Sequence, residues 1–121
     1  MRIDIYGRPY DKTCQEAVGL LKSARIRVKF HNTDKDYSRS KLIGVTKDLQ
    51  QKGDYTFKTL YNAPIPIVIS EDTQEVLCGF ETNSNLYHNM LVFAGINDPD
   101  GFTRKHFEWK RKPYVKHETR Q

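Results

Sequence analysis

The two cysteines are the residues of this sequence best suited to covalent chemistry. Cys14 follows Asp11 by three residues. It opens a segment, Lys12 to Arg25, in which Ala17, Leu20, Leu21 and Ala24 recur at the 3.6-residue period of an amphipathic helix. Thiol–disulfide exchange needs an exposed thiolate whose pKa is lowered, commonly by a helix N-terminus. Asp11 is a good N-cap type, and its charge beside Cys14 disfavours a thiolate there. Cys14 therefore reads either as a small, buried, inert hydrophobe or as a surviving thiol. Cys78 lies 64 residues further on. Two cysteines so far apart are neither a disulfide framework nor a metal cluster, and they suit a reducing cytoplasm. His31, His88, His106 and His117 have no ligand spacing with them, so no metal site is expected.

The elements that must position these groups follow from hydrophobic period and turn residues. Ile3, Ile5 and Tyr6 make a short strand that Gly7-Arg8-Pro9 breaks, and the Lys12–Arg25 helix follows. Arg27 to Asn32 reads as a second strand, with Val28 and Phe30 inward and Arg27, Lys29 and His31 outward. Ser38 is expected to cap a helix running to about Lys52, with Leu42, Ile43, Thr46 and Leu49 on its apolar side and Gly53 as its stop. Residues 54–63 read as a loop. Pro66-Ile67-Val68-Ile69 and Glu75-Val76-Leu77-Cys78 form a hairpin. Thr82 to Ser84 is expected to cap a third helix carrying Leu86, Met90 and Phe93. Asp98-Pro99-Asp100 looks like a further helix start, with Phe102, His106 and Trp109 on one face and Pro113 as its end. The order β-α-β-α-β-β-α gives a parallel first pair and an antiparallel last pair of strands. It predicts an α/β fold with a four-stranded mixed sheet flanked by helices.

The chain of 121 residues carries a net charge of +5. Residues 104–121 hold seven cations against Glu108 and Glu118, so the excess charge lies in the tail and residues 1–103 are neutral. No apolar run approaches the ~20 residues a membrane-spanning helix needs. The N-terminal stretch, with Asp4 among its apolar residues and no small-residue cleavage site, does not read as a signal peptide. Two units are expected: a domain at 1–95 and a basic aromatic extension at 96–121. In the latter, Lys105, Trp109, Lys110, Arg111 and Lys112 combine cations with an aromatic ring. That mixture suits a phosphate backbone with stacked bases or an acidic protein surface, and equally a fourth helix docked on the sheet with a solvated basic face.

Tyr6-Gly7-Arg8-Pro9-Tyr10-Asp11-Lys12-Thr13-Cys14, followed by Ala17 and Leu20-Leu21, resembles the opening of the glutaredoxins. In that family a strand ends in Tyr-x-Lys-Pro-x before Cys-x-x-Cys and a helix with Ala and Leu-Leu. Ile65-Pro66-Ile67-Val68-Ile69 resembles the family's cis-proline segment. Cys78-Gly79-Phe80 resembles the Gly-Phe pair of the glutaredoxin-like redoxins that serve ribonucleotide reductase, phage ones included. The resemblance spans roughly residues 1–94 and implies a thioredoxin fold. Two departures stand out: Asp11 occupies the position of the first, attacking cysteine, and the tail from Ile96 matches nothing in the family.

The resemblance further implies a groove formed by Tyr6, Arg8, Pro9, Ile65, Pro66, Gly79 and Phe80. There the backbone of Ile65, ahead of a cis bond to Pro66, would pair with an extended peptide; Pro64 offers an alternative register. Cys14 matches the resolving thiol, and Cys78 is expected on the same rim. Glu81-Thr82 replaces the residues that hold glutathione in the family, so no cofactor is expected and tight glutathione binding is disfavoured. The leading expectation is a redox-degenerate glutaredoxin-like protein that binds a protein partner through this groove, with or without the basic tail. An oxidoreductase acting through Cys14, with Cys78 as a second thiol, is the runner-up. A nucleic-acid-contacting accessory protein is the third reading.

Overall fold

The computed structural model describes residues 2–56, 58–73, 75–79 and 85–108. The elements are β1 (Arg2–Gly7), α1 (Lys12–Ser23), β2 (Arg27–Asn32), α2 (Asp36–Gln51), β3 (Ile67–Ser70), β4 (Val76–Leu77) and α3 (Leu86–Phe93). Residues 99–108 are also helical and are termed α4. The strands form one mixed sheet in the order β2-β1-β3-β4. β1 pairs with β2 in parallel, Tyr6 opposite His31 and Gly7 opposite Asn32. The β1–β3 and β3–β4 pairs are antiparallel.

Strand alternation splits the core into two layers, because successive side chains leave opposite faces of a sheet. Ile3, Ile5 and Val68 join Leu20, Leu21, Leu86, Met90 and Leu91 in a cluster beneath α1 and α3. Tyr6, Ile67 and Ile69 face the other way and join Leu42, Leu49, Leu60 and Cys78 beneath α2. Each fully buried Leu or Ile contributes about 1.5–3 kcal/mol by leaving water.

Helices α1, α2 and α3 share one ending. Gly53 after α2 and Gly95 after α3 have positive φ, and the next residue's N–H returns to the carbonyl of Leu49 and Leu91 respectively. α1 ends identically, Ile26 N–H reaching the Leu21 carbonyl, but the left-handed residue there is Arg25 at φ 61°. Glycine is the usual occupant, because a Cβ is crowded in that conformation.

Four local expectations need correction. α2 begins at Asp36 with Lys35 as N-cap, so Ser38 is buried in the first turn and caps nothing. Ile43 is 41% exposed; burying Ser38, Leu42, Thr46 and Leu49 rotates it out of the core. α3 is entered from Asn85, without a side-chain cap, and residues 82–84 lie outside the described region. His31 is buried, for reasons given below. α4 starts after Asp98, whose carboxylate accepts the Gly101 N–H at 3.2 Å and fills the space a Cβ at Gly101 would need. Phe102 packs against the first cluster, which brings α4 onto the same body as the sheet.

Candidate functional site

At the end of β1 the chain turns through Arg8-Pro9-Tyr10, with the Asp11 N–H bonded to the Arg8 carbonyl at 3.1 Å. Asp11 then caps α1: its backbone is extended and its Oδ2 accepts the Cys14 N–H at 2.9 Å. The Gln15 side chain closes the turn by donating to the Pro9 carbonyl at 2.7 Å. A cap of this kind stabilises a helix by about 1 kcal/mol.

The cap leaves the Cys14 side chain on the inner face of α1, fully buried. Its sulfur occupies the space a Cβ at Gly7 would take, and the Phe30 ring borders that same space. Burial pushes the thiol pKa up to about 12, and the Asp11 carboxylate adds to the rise while the Arg8 backbone amide and the Arg8 charge oppose it. A thiol raised this far is protonated at neutral pH, whereas exchange chemistry uses the thiolate.

The second half of the site approaches from β3 and β4. Tyr6 pairs with Ile67, so Pro66 and the Arg8 turn leave the sheet at the same end. The Ile65–Pro66 bond is cis. The Gly79 N–H donates to the Pro64 carbonyl at 3.0 Å, and a Cβ at Gly79 would run into the Ile65 carbonyl oxygen. Since the C=O and N–H of one peptide unit point in opposite directions, the Ile65 N–H faces away from Gly79, toward the side occupied by β1. Among the described residues it donates to no acceptor.

The remaining candidates divide clearly. Arg8 and Pro9 are exposed, Arg8 paired with Asp34 at 3.4 Å. Tyr6 is no groove residue: as the neighbour of Ile5 in a strand it faces the α2 layer, where it is buried and stacked on His31 at 4.2 Å. Cys78 lies at the same sheet end as Cys14 but belongs to the α2 layer, so the sheet separates the two sulfurs. Both thiols are reduced, and burial raises Cys78 to about 11. Lys105 is exposed on α4; Phe80, Trp109, Lys110, Arg111 and Lys112 lie outside the described residues. Among the described residues no group of three or more His, Cys, Asp or Glu side chains could hold a metal ion. None of the described helices is long and apolar enough to cross a membrane.

Two polar contacts escaped the sequence reading. His31 bonds Asp4 through Nε2 at 2.9 Å while stacking on Tyr6. The signal was Asp4 itself, a carboxylate inside an apolar strand that needs a partner once half-buried. The Ser23 hydroxyl lies 2.8 Å from His106 Nδ1 and 3.0 Å from the Gly19 carbonyl. The Gly19 carbonyl also lies within α1, where the Ser23 backbone N–H reaches it, so either ring tautomer of His106 can pair with the hydroxyl. The contact fastens α4 to α1.

Comparison with protein-family models, with curated proteins and with solved structures finds no match to this chain.

Proposed function

We propose that this chain is a glutaredoxin-like protein of thioredoxin fold that has given up redox chemistry and binds a protein partner. The extended partner segment would lie across the groove bounded by Asp11, Ile65, Pro66 and Gly79. The observation that carries the proposal is the commitment of Asp11. At the leading edge of α1, where sulfur chemistry would begin, a carboxylate is engaged with the Cys14 N–H, and the nearest thiol is buried and protonated. The strand order, the Ile65–Pro66 geometry and the close Gly79 contact support the fold assignment. An Ile65 N–H directed away from Gly79 supports the binding mode, since main-chain donors and acceptors are what an added strand pairs with. Two separately buried, reduced cysteines suit a cytoplasmic protein.

The test is a thiol–disulfide reporter assay on the wild type and on Asp11→Cys. The wild type should give no turnover above buffer, and the variant should gain reductase activity because the surrounding groove is intact. Wild-type turnover that disappears in Cys14→Ser would overturn the proposal, as would a folded Asp11→Cys that stays inert.

A further inference from the structure

The outermost long strand of the sheet is β2, whose far side meets no other strand among the described residues. Gly7 accepts the Thr33 N–H at 2.9 Å, and in a parallel ladder this register turns the odd-numbered residues of β2 toward β1. The N–H and C=O groups of Val28 and Phe30 therefore point out of the sheet, and among the described residues no hydrogen bond occupies them.

Side chains along this edge alternate in character. Val28 and Phe30 turn toward α1, half-buried. Beside Phe30 lies a cavity of about 380 Å³ walled by Pro9, Cys14, Gln15, Val18 and Gly19, with Arg8 near the start of α1 and Lys22 near its end. Arg27 and Lys29 leave the opposite face and are exposed, as are Lys22 and Arg25 just before them. No Asp or Glu occurs between Glu16 and Asp34. None of these four cations is ion-paired to a described residue. The neutral total of residues 1–103 thus conceals a local concentration of positive charge.

We infer that β2 is a docking edge for an extended acidic segment of another protein, which adds to the sheet as a fifth strand with acidic and apolar residues in alternation. The two-residue period of a strand puts one set of incoming side chains beside Arg27 and Lys29 and the other beside Val28, Phe30 and the cavity. A second copy of this chain is a poor occupant, because antiparallel β2 edges would set like charges against one another. Lysine and arginine on an edge strand also repel neutral strands, so the charges that admit an acidic segment exclude general aggregation. A nucleic acid would meet the cations but leave the outward backbone groups unused. This surface needs neither Asp11 nor Ile65, although its cavity shares Arg8, Pro9 and Cys14 with the site described above.

The test titrates the ¹⁵N-labelled full chain with a blocked peptide of alternating Glu and Val, following amide shifts. Shifts should concentrate at residues 27–32 and along the cavity wall of α1. The exposed double variant Arg27→Glu/Lys29→Glu should weaken binding at least tenfold and gain affinity for the Lys–Val counterpart. Methylating alternate peptide nitrogens should abolish binding. Equal binding of a peptide with the same residues in blocks would overturn the inference, because that is attraction to charge alone. So would a single-stranded oligonucleotide that moves the same amides and displaces the peptide. Absence of shifts at millimolar peptide would leave the cations a purely protective role and equally overturn it.

Discussion

The Asp11 carboxylate sits 2.9 Å from the Cys14 nitrogen, and the same carboxylate raises the pKa of the Cys14 thiol. One side chain both starts helix α1 and keeps the neighbouring sulfur protonated. The two effects have separate origins, a hydrogen bond to the backbone and a charge near a thiol, so substitutions can divide them.

Asp11→Ala should lower stability by about 1 kcal/mol through loss of the cap, while Asp11→Asn should keep most of it. Urea unfolding of the two variants measures the difference. Asp11→Asn also removes the charge, which lowers the Cys14 pKa. Burial is the larger cause and persists, so alkylation of native Cys14 should stay slow at neutral pH.

Both cysteines should make the fold sensitive to alkali. Their folded pKa values, about 12 for Cys14 and about 11 for Cys78, exceed the ~8.5 of an unfolded cysteine. Between these values the unfolded chain has lost protons that the folded chain still holds, so stability falls as pH rises, by at most about 1.4 kcal/mol per pH unit for each thiol. Below pH ~8 neither state ionises and the contribution is constant. Cys14→Ala should flatten the profile by about 2 kcal/mol between pH ~8.5 and ~10 relative to wild type. Urea melts across this range would show parallel profiles if the thiol were exposed.

Arg25→Gly should raise stability by about 0.5–1 kcal/mol, because the residue already holds a left-handed backbone conformation that glycine adopts without crowding. Thermal melts should show an upward shift. A fall would mean that contacts of the arginine side chain outweigh its backbone cost.

Thr46→Val should cost about 1–3 kcal/mol although the site is buried and the shapes match. The hydroxyl donates to the Leu42 carbonyl at 2.8 Å and accepts the Leu60 N–H at 2.9 Å. Valine leaves that buried amide without an acceptor, while Thr46→Ser retains the bond. Comparing the two variants by denaturant unfolding separates the hydrogen bond from packing.

The element order and sheet pattern were legible in the sequence because each strand and helix carries its own period. Ile3 and Ile5 alternate with Asp4, and Ala17, Leu20 and Leu21 recur at helical spacing. Leu60 was not legible: it sits in an irregular segment, and its burial rests on contacts with the second cluster and on Thr46, fourteen residues away, which receives its N–H. His31 was misplaced for a related reason. The outward side of β2 is wet at Arg27 and Lys29, but pairing with β1 carries His31 over Tyr6, a contact between strands that a single-strand pattern does not contain. At the site, the Asp11 cap could be read from local chemistry. The burial of Cys14 was among the readings its sequence position allowed, but its cause was not, because it depends on the missing Cβ of Gly7 on β1.

A sheet standing between two sulfurs also governs what a docking partner meets. The two cysteines face opposite sides of the sheet, Cys14 beside a cavity next to α1 and Cys78 in the layer beneath α2. A partner seated on either face of the sheet therefore meets the neighbourhood of one described cysteine and not of both.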